Sequence, residues 1–108
     1  MENIKEENFD EIINSDKLTI IDFSATWCMP CRMLKPIMER VAEAHKDVAF
    51  YNLDIDECET IAKRYRVFSV PTVMAFRSGK KLNSIVGLNP YEVVDVFVAN
   101  SKLIKAED

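Results

Sequence analysis

Glycine is scarce in this sequence, with 2 among 108 residues, and proline is little commoner at 4. So few leave no material for a Gly-rich phosphate loop, a collagen-like repeat or a flexible linker between domains. Histidine occurs once and cysteine three times. Three cysteines are too few and too odd in number for a small secreted disulfide scaffold. Positive charge is in the minority: 14 Lys and Arg against 18 Asp and Glu give a net charge of −4. That balance argues against an electrostatic grip on nucleic acid or on anionic lipid. Long apolar runs are missing too. Residues 18–23 and 93–99 are far too short to cross a bilayer, and they carry Asp22 and Asp95 within them. The opening segment Met1-Glu2-Asn3-Ile4-Lys5-Glu6-Glu7 has no apolar centre, so no secretory signal and a cytoplasmic location are expected.

What is present reads as one globular domain over residues 1–108, with 48% hydrophobic against 30% charged residues. Phe9, Ile12 and Ile13 mark one face of a short first helix, stopped near Asn14-Ser15. Residues 18–23 are β-branched and almost wholly apolar, as in a strand covered on both faces. Leu34, Ile37, Met38, Val41 and Ala42 give helical spacing over 29–45, with Pro36 inside the pattern as an expected kink. A second buried strand is expected over 48–55 and a helix over 57–65. Residues 72–76 and 82–86 form a hairpin about Ser78-Gly79-Lys80, and Pro90 opens a last helix whose inner face is Val93, Val94, Phe97 and Val98. With a short strand near Asn3-Ile4 in front, this alternation predicts an α/β fold: a central mixed sheet of four to five strands flanked by about four helices.

The chemistry concentrates where the first apolar strand gives way to the long helix, at Trp27-Cys28-Met29-Pro30-Cys31. A cysteine at a helix N-terminus sits beside unpaired backbone N–H groups and the positive end of the helix dipole, which favour thiolate over thiol. A second cysteine three residues on lies one turn away, within reach for a disulfide. Cys28 can therefore attack a substrate disulfide, and Cys31 can resolve the mixed disulfide that forms. Pro30 suits the first turn and stiffens the link between the thiols.

At these residues the sequence resembles the thioredoxin family, and the resemblance runs along nearly the whole chain. Beyond the cysteine motif, Asp22-Phe23 stands where the family has its buried Asp-Phe, and Pro36 where it has its helix proline. Val70-Pro71-Thr72 resembles the family's cis-proline signature, and Val86-Gly87 its step beside the substrate groove. The resemblance implies the thioredoxin fold and a protein-disulfide reductase, an electron carrier that cycles between dithiol and disulfide. It makes Cys28 the nucleophile, Cys31 the more buried resolving thiol, and Asp22 a proton-transfer group for Cys31 with a pKa raised by burial. It places Trp27, Met29, Pro30, Val70, Pro71, Gly87 and Leu88 along the substrate groove, with Val70 offering its backbone to a client strand. It implies no bound cofactor, since the Cys28–Cys31 pair carries both electrons, and a monomer reduced by a partner, usually NADPH-linked thioredoxin reductase. Family clients include ribonucleotide reductase, peroxiredoxins and methionine sulfoxide reductases.

Three positions depart from the family pattern. Met29 replaces the usual glycine, which narrows backbone freedom and sets a polarizable side chain beside the thiol, predicting an altered redox poise and partner choice. Ser24 stands where many members have a second tryptophan, predicting looser packing around Asp22. Asn52 stands where a lysine often accompanies the buried acid, so Asp22 loses one stabiliser of its charged form and its pKa is expected to sit higher still.

Simpler readings compete at several residues. A zinc site built from Cys28, Cys31, His45 and Cys58 is not expected, because His45 falls 14 positions along the helix from Cys31, about 20 Å away, which leaves only adventitious or chain-bridging metal at the cysteine pair. His45 reads as a solvated residue near a helix C-terminus. Cys58, in the acidic run Asp56-Glu57-Cys58-Glu59, reads as a half-buried free thiol, with regulatory oxidation or a disulfide-linked dimer as the sharper alternative. A redox-inert binding module with the same fold is the rival for the whole chain, and an intact Cys28, Cys31, Asp22 and Pro71 set speaks against it.

Overall fold

The computed structural model describes residues 1–106; Glu107 and Asp108, part of the single-domain expectation, lie outside the described residues. Strand β1 (Glu2–Asn3) leads through a 3-10 turn (Glu6–Asn8) into helix α1 (Phe9–Ile13). There follow β2 (Thr19–Ser24), α2 (Met29–Ala44), β3 (Ala49–Asp54), α3 (Glu59–Arg64), the hairpin β4 (Thr72–Arg77) and β5 (Lys80–Val86), and α4 (Tyr91–Ser101). The sheet order is β1-β3-β2-β4-β5. β3 pairs in parallel with β1 and β2, whereas β4 is antiparallel to β2 and β5. The expected mixed sheet with helices on both faces is therefore the observed one, with five strands and four α-helices.

Alternation along the strands divides the core in two. From β2, Ile21 and Phe23 point with Met74 and Phe76 of β4 towards Phe9, Ile13 and Ile61 of α1 and α3. Ile20 points the other way, with Val73 and Ala75, onto Leu34, Met38 and Val41 of α2 and Val94, Phe97 and Val98 of α4. A strand covered on both faces needs apolar side chains in both directions, which is why the middle of β2, Ile20 to Phe23, is apolar apart from Asp22.

Boundaries shift where caps decide them. β5 begins at Lys80, two residues before the expected start, because Arg77 and Lys80 pair directly across the turn. That turn uses positive φ at Ser78 and Gly79, and the Gly79 N–H donates to the Ile13 carbonyl at 2.9 Å. Pro90 caps α4 rather than standing inside it, with extended ψ and its carbonyl accepting from Val94. α2 continues through Pro36 to Ala44. His45, expected to be solvated, is 9% exposed at the C-cap of α2, its Nε2 2.6 Å from Asp95 Oδ1 on α4. Asp95 supplies a carboxylate on the neighbouring helix, so the imidazole closes the gap between the two helices instead of facing water.

Candidate active site

β2 stops at Ser24, and Cys28 takes the N-cap position of α2 with extended backbone. Its Sγ accepts from the Cys31 N–H at 3.2 Å, so sulfur takes the place of the oxygen that usually caps a helix. Cys28 and Cys31 are bonded through their sulfurs, with Cα atoms 5.3 Å apart. In this disulfide state the two are equally covered, at 5% and 4% exposure. The expected contrast between an open nucleophile and a buried partner is absent from these values; the two sulfurs differ in surroundings instead. Cys28 Sγ faces the Val70 carbonyl oxygen at 3.7 Å, while Cys31 lies on the side of α2 that meets the sheet.

The residues placed in the groove come from three segments of the chain. Trp27 and Met29 flank it in the chain, 67% and 60% exposed, with Pro30 exposed in the first turn of α2. The Trp27 indole N–H donates to Asp56 Oδ2 at 2.9 Å, a partner that sequence reasoning missed. Val70 is half-buried and Pro71 buried, joined by a cis peptide bond. Gly87 donates its N–H to the Pro71 carbonyl at 2.8 Å, and Leu88 follows it, exposed. A Cβ on Gly87 would meet no atom within 4 Å, so its φ of +95° rather than lack of room favours glycine there.

Behind the disulfide, Asp22 is 1% exposed and its Oδ1 has no hydrogen-bond partner among the described residues. Burial pushes its carboxyl up to about 7, and the charge of Lys35 works against that rise. Asn52 brings no charge to Asp22, and a cation acts on it from another element. Lys35 supplies it from α2, four residues after Cys31, a spacing that puts both on one helix face. That spacing is the one sign of Lys35 in the sequence. Ser24, where looser packing around Asp22 is expected, lines a cavity. Ser24 Oγ donates to Asn52 Oδ1 at 2.7 Å, and Asn52 Nδ2 donates to Asn3 Oδ1 at 2.8 Å. These side chains tie β1, β3 and β2 together along the wall of a cavity of about 390 Å³, into which Cys31 and Lys35 also face.

Cys58 is set apart from this site. It caps α3, is 1% exposed rather than half-buried, and its thiol points at the Ile4 carbonyl oxygen at 3.6 Å. Burial first, then the charges of Glu6, Glu57, Asp54 and Glu7, push its pKa up. In the oxidised protein, alkylation of Cys58 at pH 8 is expected to be at least tenfold slower than in urea, because the thiol is both covered and protonated. Mass spectrometry after timed iodoacetamide treatment checks this; equal rates would mean that the site opens freely. Among the described residues no cluster of three or more His, Cys, Asp or Glu side chains has the arrangement of a metal site.

Comparison with known proteins agrees with this geometry. Residues 1–100 match the family model described as Thioredoxin. The chain is 40% identical over 89 residues to Thioredoxin-2 of Saccharomyces cerevisiae, covering 82% of this chain and 86% of that protein. It is 40% identical over 83 residues to a thioredoxin of Equus caballus, covering 75% of this chain and 79% of that one. Among solved structures, the thioredoxin of Malassezia sympodialis superposes with a TM-score of 0.84 at 33% identity, over 94% of this chain and 90% of that one. The thioredoxin from Trypanosoma brucei brucei gives 0.84 at 32% identity, over 91% and 87%. A bonded cysteine pair opening α2 on this sheet, together with relatives this close over most of their length, places the chain in the thioredoxin family of protein-disulfide oxidoreductases.

Proposed function

We propose that the chain reduces client disulfides with Cys28 as nucleophile, Cys31 as resolving thiol and Asp22 as proton acceptor for Cys31. The carrying observation is the placement of the pair at the N-terminus of α2 with a buried, unpartnered carboxyl behind it. In the reduced protein, the end of the helix dipole and the Cys31 N–H favour the Cys28 thiolate. The thiolate attacks one sulfur of the client disulfide, forming a Cys28–client bond and releasing the other client cysteine as thiolate, which takes a proton from water. Cys31 then loses its proton towards Asp22 and attacks Cys28 Sγ. The Cys28–Cys31 bond forms, the Cys28–client bond breaks, and the second client cysteine leaves as a thiolate that takes a proton from water, while Asp22 returns the Cys31 proton to water; two electrons have passed to the client. Trp27, Met29, Pro30, Val70, Pro71, Gly87 and Leu88 line the approach, and the Val70 backbone offers affinity with little choice of side chain.

Electrons return from a partner reductase, for which we propose an NADPH-linked thioredoxin reductase. The working form is a monomer in the cytoplasm. Support for these assignments is the family membership.

Cys31→Ser tests the division of roles. The variant is expected to hold client proteins as mixed disulfides on Cys28, released by dithiothreitol and visible on non-reducing gels, while catalytic turnover disappears. Adducts that form on Cys31 in a Cys28→Ser variant instead would reverse the two roles.

A further inference from the structure

We infer that Lys35 is the positioning cation of the proton-transfer step, acting on Asp22 from the cavity side of α2. This rests on the proposed role of Asp22 and adds a residue to it. Asp22 projects from β2 on the same side as Ile20 and Ser24, towards α2. In register beside it on β3 is Asn52, which is neutral and is fully engaged between Ser24 and Asn3. On its other side, β4 contributes Val73, which is apolar. Neither neighbouring strand therefore offers Asp22 a positive charge. From α2, Cys31 and Lys35 stand one turn apart, and both line the cavity that Ser24 and Asn52 bound. Arg32 also reaches this cavity, but its guanidinium is turned to the Thr26 carbonyl at 2.8 Å. Asp54 and Glu57 also line this cavity. Lys35 has no ion-pair partner among the described residues, which leaves its charge uncommitted.

The consequence concerns which state Asp22 occupies when Cys31 must lose its proton. To accept that proton the carboxyl has to be ionised, and burial opposes ionisation. A cation at the cavity rim favours the carboxylate without occupying the space a transferring water needs. Lys35 is exposed, so its effect is moderated by solvent and should be modest.

Lys35→Met keeps the length of the side chain and removes the charge. In single-turnover oxidation of the reduced protein by a peptide disulfide, followed through Trp27 fluorescence, the pH profile is expected to move to higher pH. The rate at pH 7 should fall about threefold and recover at pH 9, consistent with loss of one partly screened charge. The carboxyl titration of Asp22, read by carbon NMR in the same variant, should move upward as well, and Lys35→Arg should restore both. An unchanged profile in Lys35→Met, with Asp22→Asn slowing the reaction, would overturn the inference and leave the Asp22 role standing. A Lys35→Met shift that persists in the Asp22→Asn background would also overturn it, since the lysine would then act on another group. If Asp22→Asn itself leaves rate and profile untouched, the role of Asp22 falls and this inference falls with it.

Discussion

Asp22→Asn should make the oxidised protein more stable at pH 8 by about 2–4 kcal/mol, while changing little at pH 3.5. The carboxyl titrates near 3.8 in the unfolded chain and near 7 in the fold. Below both values each state holds the proton and the group contributes nothing to the pH dependence. Between them the folded state retains a proton that the unfolded state has released, so stability falls as pH rises. Above about pH 7 the folded protein carries the full penalty, which at roughly 1.36 kcal/mol per pH unit is on the order of 4 kcal/mol. Asparagine removes the titration and leaves an amide in apolar surroundings, which takes back part of the gain. Urea unfolding of both proteins at pH 3.5, 6 and 8 reads the difference directly. A gap that does not widen with pH would show that Asp22 titrates in the fold as it does in water. The native chain therefore keeps a destabilising group beside its reactive sulfurs, an arrangement that makes sense where proton transfer requires it.

Phe76→Ala is expected to act as strongly in the opposite direction, costing about 3–5 kcal/mol. Phe76 is fully buried near the end of β4, paired across to Thr19 on β2. Its ring meets Phe9 edge-on at 5.8 Å and Tyr65 at 5.3 Å, and those two rings meet each other at 5.6 Å. The three rings join α1, the end of α3 and the sheet, so truncation leaves a void bordered by rigid neighbours that cannot close it. Urea midpoints at pH 6 should fall sharply with an unchanged denaturant slope. A loss below about 1 kcal/mol would mean that the rings repack. Together the two substitutions separate what the core supplies from what the site withdraws.

The alternating apolar pattern carried the fold because each strand and helix buries a face whose period shows in the residues. Residues 18–23 read directly as a doubly covered strand and 72–76 as a strand, and the split of Ile20 from Ile21 follows from the pleat. The cysteine pair was legible for another reason: its chemistry is local, needing only a strand end, a helix start and a spacing of three. Contacts between distant segments were not legible. Lys35 lies 13 positions from Asp22, Asp56 lies 29 from Trp27, and Asp95 lies 50 from His45. Each of those partners is a charged residue of the kind that usually faces water, and only the packing of α2, β3 and α4 gives them neighbours. Cys58 shows the same limit, since its acidic flanks suggested exposure while the approach of Ile4 covers it.

The hairpin's outer strand bears on a hazard peculiar to this kind of chemistry. On the proposed mechanism clients pair with the backbone at Val70, which would expose the protein repeatedly to extended, unpaired chain. β5 is the open edge of the sheet, where such a chain could add as a sixth strand and stay. Lys80 and Lys81 stand exposed along it, and the register slips between Ala75 and Phe76 on the strand it pairs with. Charged side chains and an irregular ladder make that edge a poor template. At the opposite edge, β1 offers only two residues. Contact with unfolded chain is thereby directed to one short segment beside the disulfide, and each client can leave once its bond has been exchanged.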